Sequence, residues 1–278
     1  MNEKKQVGYL GPEGTFSQEA VLKITDNNTI NKPYPNILSI FEALEDNKID
    51  EAVVPIENST EGSVVITLDA LTRHNLKIKG ELELPIRQNL LVQKGKTLDD
   101  INVICSHQQA IAQCRHYINR LNKQVHAMPS TANAARYVTE LSAAAVIGNE
   151  ILSDKYNLEI IAHDIQDYSN NVTRFVILGK EDINKPTGND KTSIVISLKN
   201  DNPGSLYEIL YEFAKENINL TKIESRPSKQ GMGKYLFFID IVGHRLDPKI
   251  KNTLTIVEGK VNMFKILGSY SYDFGGGD

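Results

Sequence analysis

The chain has 278 residues, of which 40% are hydrophobic and 24% charged, with a formal net charge of −4. That length predicts two domains, each able to bury its own core. The mildly acidic balance, with both signs interspersed, excludes the basic footprint of a nucleic-acid binder and the polybasic face of a membrane-surface protein. No run of about 18 apolar residues occurs, and the first six residues are too polar for a secretory signal, which predicts a cytoplasmic protein. Cys105 and Cys114 match no zinc or redox spacing and read as reduced structural thiols. The six histidines show no metal-ligand pairing, so no metal and no cofactor is expected.

The first predicted element is a buried strand at 7–10, followed by a helix from about Thr15 that places Phe16, Ala20 and Ile24 on one side. A helix opening at Ser39, with Glu42 three residues on, leads to a strand at 50–56. Residues 63–74 read as helix and 77–93 as β. A second series has a strand at 103–105, then a helix with Ile111, Cys114, Ile118 and Leu121 along one face. It continues with a strand at 125–128, a helix start at 130–135, and strands at 143–147, 159–162 and 173–178. Strands separated by helices imply mostly parallel sheets, and the doubled pattern fits two α/β halves with a cleft between them. The polar stretch 179–191 reads as the boundary. Beyond it come strand 192–198, helix 205–217, strands 220–225 and 235–242, helix 248–260 and strand 263–267, the βαββαβ order of a ferredoxin-like domain. The Gly275-Gly276-Gly277 tail reads as disordered.

Three turns in the first part carry small polar residues where a strand gives way to a helical pattern: 11–17, 55–62 and 106–110. Hydroxyls and backbone N–H groups at helix starts stabilise an anion by roughly 0.3–2 kcal/mol each, so converging termini predict a cleft for a small carboxylate. Thr15, Ser59, Thr60, Ser106 and Thr131 are the candidates; ordinary capping is the alternative reading of these turns, since Thr15 with Gln18 and Asn58 with Glu61 each fit a cap-x-x-acid/amide box. In the second part, the turn at Asn202-Pro203-Gly204-Ser205, with Asn202 as N-cap and Pro203 first in the helix, can hold an amino-acid carboxylate. Glu224 and Arg226 share one strand face there.

With these residues in view, the chain resembles a prephenate dehydratase with a C-terminal ACT regulatory domain. The resemblance runs through YLGPEGTFS, VPIENSTEG, SHQQAIAQC, STANAA, NNVTRF, NPGSLYEIL and KIESRP. It implies a bilobal, periplasmic-binding-protein-like α/β catalytic domain at 1–180, a linker at 181–191 and an ACT domain at 192–278. It also implies conversion of prephenate to phenylpyruvate in phenylalanine biosynthesis, without a cofactor, in a homodimer or homotetramer feedback-regulated by phenylalanine. Thr173 is the residue the resemblance assigns to the departing hydroxyl; without it, Thr173 would merely begin a strand. Asn58, Ser106 and Gln113 match positions implicated in substrate binding or turnover. Arg174 can pair with a substrate carboxylate, although neighbouring strand residues point to opposite faces. His107 reads as a structural hydrogen-bond partner, and Glu57 as an acid only if burial raises its pKa. For the effector the matching residues are Asn202, Gly204, Ser205, Leu206, Glu224, Ser225, Arg226 and Pro227. Gln108 stands where the family commonly has proline, and Ser205 and Tyr207 depart from its G-A-L-V form. An arogenate dehydratase and a non-catalytic amino-acid sensor are the alternative readings.

Overall fold

The computed structural model describes residues 4–228 and 234–272, so the Gly275-Gly276-Gly277 tail lies outside the described residues. The chain divides into two compact units, one of residues 1–40, 53–64 and 83–175, the other of 41–52, 65–82 and 176–278. Three sheets organise the described residues.

The first sheet is built from β1 (Gln6–Leu10), β2 (Ile30–Tyr34), β3 (Glu51–Asn58), β4 (Gly62–Ser63), β5 (Lys77–Pro85) and a late strand, Val172–Gly179, numbered β11 below. Its order is β2-β1-β3-β11-β5, with β4 hairpinned onto β3. Helices α1 (Phe16–Ile24), α2 (Ile37–Glu45) and α3 (Val65–Arg73) connect these strands. The sequence pattern does not announce β2, INKPY: it is an exposed edge strand carrying a proline, with no apolar alternation to betray it. The second helix begins two residues before Ser39, because Asn36 Oδ1 accepts the Ser39 N–H at 2.9 Å and so caps it.

The second sheet contains β6 (Asn89–Gln93), β7 (Val103–His107), β8 (Gln124–Met128), β9 (Ala144–Gly148) and β10 (Leu158–Ala162), in the order β10-β6-β9-β7-β8. β7 runs parallel to β8 and β9, whereas β6 is antiparallel to β9 and β10, so this sheet is mixed where a mostly parallel one was expected. Both faces are covered. Leu90, Val92, Ile104, Ala145 and Ile147 pack with Ala110 of α4 (Gln108–Gln113), Cys114 at the junction after it and Ile118 of α5 (Arg115–Leu121). Leu91, Val103, Cys105 and Val146 pack with Ala134, Ala135 and Val138 from α6 (Thr131–Glu140), and with Leu152 from α7 (Ile151–Tyr156). The single helix expected over Ile111 to Leu121 is therefore two, broken at Cys114 (φ −121°, ψ 23°), although its apolar face stays in one cluster.

The third sheet, in the order β13-β14-β12-β15, belongs to the βαββαβ segment: β12 (Asp190–Leu198), α8 (Ser205–Lys215), β13 (Leu220–Pro227), β14 (Tyr235–Val242), α9 (Pro248–Lys260) and β15 (Val261–Ser271). β12 pairs antiparallel with both β14 and β15, and β13 with β14. Ile194, Ile196, Ile239 and Ile241 on one face meet Ile209 and Phe213 of α8 and Ile250, Leu254 and Val257 of α9. The polar stretch before β12 is a bonded loop: Thr187 N–H, Thr187 Oγ1 and Gly188 N–H all donate to the buried Asp190 carboxylate.

Candidate active site

β1 ends at Leu10, and the chain reverses through Gly14, whose φ of +90° suits glycine, to reach Thr15, the N-cap of α1. Thr15 Oγ1 accepts the Gln18 N–H at 3.4 Å, and Gln18 Oε1 accepts from Gly14 N–H. At the start of α6 the same service falls to Ser130, whose hydroxyl accepts the Asn133 N–H at 3.0 Å, so Thr131 stands one place inside the helix. In each helix the cap takes the third-position N–H and leaves those before it for an anion.

The turn after β3 is organised by Asn58. Its Oδ1 accepts from Thr60 N–H (3.0 Å), Thr60 Oγ1 (2.7 Å) and Glu61 N–H (3.0 Å). Its Nδ2 donates to Asn171 Oδ1 (2.7 Å) and Thr173 Oγ1 (2.9 Å) on the far side. The Asn58–Glu61 pattern thus closes a hairpin into β4 and does not start a helix. Thr173, on β11 and 9% exposed, receives this bond on its oxygen and donates to no acceptor among the described residues, so its own hydrogen remains available.

Thr15, Asn58, Gln113, Thr131 and Thr173 line one cleft of about 550 Å³, together with Glu61, Gln88, His107 and Ser130. None of its lining residues is lysine or arginine, so recognition of an anion falls to hydroxyls, amides and helix starts. The remaining substrate candidates lie elsewhere. Ser59 Oγ donates to Asn170 O and accepts from Val172 N–H, fastening the turn to β11. Thr60 spends its hydroxyl on Asn58. Ser106 is fully buried in β7, with its hydroxyl donated to Ile147 O at 2.6 Å; the helix after it is capped by His107, whose Nδ1 accepts the Gln109 N–H. Arg174 points to the other face of β11 from Thr173, with its Nε 3.7 Å from Glu57 Oε2, which gives that carboxylate an ion-pair role. Gln108 is the first residue of α4, where a missing proline costs little.

Sequence reasoning passes over Gln88 and reads Glu61 only as a capping partner. Gln88 is the middle of a polar triplet, Arg87-Gln88-Asn89, which gives no sign by itself that Gln88 is buried, yet its exposure in the structure is 2%.

In the second unit, Gly204 (φ +91°), and not Asn202, is the N-cap of α8, because Ser205 N–H bonds back to Asn202 O in a turn that excludes Pro203 from the helix. Ser205 opens α8 and Leu206 packs against its core. Along β13 burial alternates, placing Glu224 and Arg226 on the covered face and Ser225 and Pro227 on the open one. Lys222 lies 3.3 Å from Glu224, and Arg226 3.7 Å from Asp69 of α3. A separate cavity of about 620 Å³ in this unit takes in Asp69, Lys199, Pro227 and Tyr235 but none of the substrate candidates.

Residues 7–183 match the family model described as prephenate dehydratase, and residues 192–259 match the ACT domain. The prephenate dehydratase of Methanocaldococcus jannaschii is 42% identical over 273 residues, 96% of this chain and 98% of that protein. The bifunctional chorismate mutase/prephenate dehydratase of Stutzerimonas stutzeri is 42% identical over 272 residues, 97% of this chain and 74% of its own length. A crystal structure of prephenate dehydratase in complex with L-Phe from Arthrobacter aurescens has a TM-score of 0.86 at 36% identity, covering 96% of this chain and 90% of that one.

Proposed function

Because the chain belongs to the prephenate dehydratase family and carries an ACT domain, we propose that it converts prephenate to phenylpyruvate at the cleft that Thr173 lines. In that reaction the ring carboxylate leaves as carbon dioxide, its bonding electrons aromatise the ring, and the ring hydroxyl departs and is converted to water by a proton drawn ultimately from solvent. Aromatisation supplies the driving force, so the protein must hold a dicarboxylate in line for fragmentation and stabilise the departing oxygen.

One observation carries the assignment: Asn58 Nδ2 donates to Thr173 Oγ1 at 2.9 Å, which occupies a lone pair of the hydroxyl and leaves its hydrogen to donate. Directed at the leaving oxygen, that hydrogen bond does the work of an acid group, an effect worth roughly 10²- to 10⁴-fold. The starts of α1 and α6, with Thr15 and Thr131, hold the carboxylates, and the Gln113 amide supplies a further donor. Ser59, Thr60 and Ser106 act as braces of this machinery, and Arg174 as the partner of Glu57.

We assign the catalytic domain to residues 1–180, the connection to 181–191 and the regulatory domain to 192–278, supported by the two family matches. Phenylalanine is the proposed effector, held by the 202–206 turn and by Glu224, Ser225, Arg226 and Pro227. A dimer or tetramer is proposed, supported by the edge position of β13 and the exposure of Ile223, Tyr207 and Tyr211. A cytoplasmic site agrees with two free, buried cysteines. Among the described residues no helix is long and apolar enough to cross a membrane.

The test is formation of phenylpyruvate from prephenate by the purified protein, with and without phenylalanine, and with arogenate as a parallel substrate. Turnover of prephenate, suppressed by phenylalanine, is expected. Preference for arogenate would reassign the substrate, and turnover of neither would make the protein a sensor.

A further inference from the structure

Gln88 is a long polar side chain buried to 2% exposure on the wall of the cleft, and none of the roles above uses it. Its backbone is stitched to the segment before β11: Gln88 N–H donates to Gln166 Oε1 at 2.8 Å and Gln88 O accepts from Ile165 N–H at 2.8 Å. The same segment holds Gln113, whose carbonyl accepts from Asp167 N–H at 2.7 Å. The two side chains then meet: Gln88 Nε2 donates to Gln113 Oε1 at 3.1 Å, and Gln113 Nε2 donates to Glu61 Oε1 at 3.4 Å.

The direction of this chain follows from chemistry. An ionised carboxylate accepts and cannot donate, so Glu61 requires the Nε2 end of the Gln113 amide. That turns Gln113 Oε1 toward Gln88, which must answer with its own Nε2. Gln88 Oε1 is left buried with no partner among the described residues, an arrangement that any apolar side chain at this position would avoid.

We infer that Gln88 is a positioning residue: it fixes which end of the Gln113 amide faces the ligand, leaving the second Nε2 hydrogen of Gln113 for an anionic or hydroxylic group of the substrate. The inference rests on the prephenate reading for its role in turnover, while the relay itself can be tested without substrate. The decisive variant is Gln88→Glu, which keeps the shape. Protonated, the introduced carboxyl donates to Gln113 Oε1 as the native amide does; ionised, it accepts only and turns the Gln113 amide round, against Glu61. Burial raises the pKa of such a carboxyl above its usual value of about 4.3, so the change falls within an accessible pH range.

The ratio of kcat/KM for Gln88→Glu to that of the wild type should therefore fall roughly tenfold or more as pH rises through this new group, the effect of one hydrogen bond to a charged partner. A ratio that does not change with pH overturns the role in turnover. Melting temperature tests the relay independently of activity. Gln88→Glu should lose stability as pH rises, and adding Glu61→Gln should suppress most of that loss, because the chain can then run in reverse. The double variant should not recover kcat/KM, since its Gln113 is reversed. Equal pH-dependent losses in the single and double variants would show that the three side chains form no relay. A wild type inactive on prephenate would refute the substrate reading while the melting comparison still decides the relay.

Discussion

Replacing Asn58 with aspartate tests how the turn after β3 controls Thr173. The Oδ1 side is preserved, so the bonds from Thr60 and Glu61 survive. On the other side a carboxylate oxygen replaces the amide that donated to Asn171 Oδ1 and Thr173 Oγ1. The bond to Asn171 is lost and two acceptors are brought face to face there, while Thr173 Oγ1 turns from acceptor to donor; the lost bond and the facing acceptors cost about 2–3 kcal/mol and lower the melting temperature by about 4–12 °C. The functional effect is larger, because the new carboxylate accepts the Thr173 hydrogen that otherwise faces the ligand. We expect kcat for phenylpyruvate formation to fall about 10²-fold or more with little change in KM, the signature of an interaction made in the transition state. A variant that melts early yet keeps kcat within about threefold of the wild type would refute this coupling and leave Asn58 a purely structural residue.

Other outcomes follow from contacts elsewhere in the structure. Ser106→Ala removes the buried bond to Ile147 O and should cost about 1–3 kcal/mol by chemical denaturation, with a much smaller loss of kcat than Thr173 or Asn58 variants show. The Cys114 thiol is pushed up to about 12 by burial and by the Asp167 carboxylate, and burial also raises Cys105, so neither should react with iodoacetamide at pH 8 until the protein is unfolded. The unfolded chain ionises these thiols first, so their contribution to stability is complete below the unfolded value of 9.0 and is lost as pH climbs from there toward 12; denaturation midpoints should fall across that window. Gly268→Ala would set a methyl 2.1 Å from Ile78 O, a backbone atom, and should cost about 3 kcal/mol or more, read as a fall of about 6–12 °C in melting temperature.

The βαββαβ segment was legible because its strands and helices carry sustained apolar periodicity, as in Leu206, Ile209 and Phe213, and its punctuation is strong. What escaped was short or conditional. β2 has a proline and an exposed edge, and α7 is six residues long, too short for a helical period to register. The break at Cys114 leaves no mark, because the apolar spacing continues across it. In the candidate site, strand alternation correctly separates Thr173 from Arg174, and the residue spacing of Thr15 and Gln18 anticipates a cap. Ser59, Thr60 and Ser106 were named for the same hydroxyl chemistry, but whether a hydroxyl faces a ligand or a neighbouring acceptor is decided by the fold: Ser59 meets Asn170 O and Ser106 meets Ile147 O on other strands or loops, and Thr60 turns back onto Asn58. The relay through Gln88 depends on three segments far apart in sequence, Glu61, Gln88 and Gln113, which local patterning does not connect.

The proposed donation from the Thr173 hydroxyl to the departing oxygen is isolated by Thr173→Val, since valine keeps the branched shape that β11 packs. With prephenate as substrate, kcat should fall about 10²-fold or more while KM stays near that of the wild type, and the melting temperature should fall by only about 1–6 °C for the lost bond from Asn58. A valine variant with wild-type kcat would leave the hydroxyl with no part in turnover.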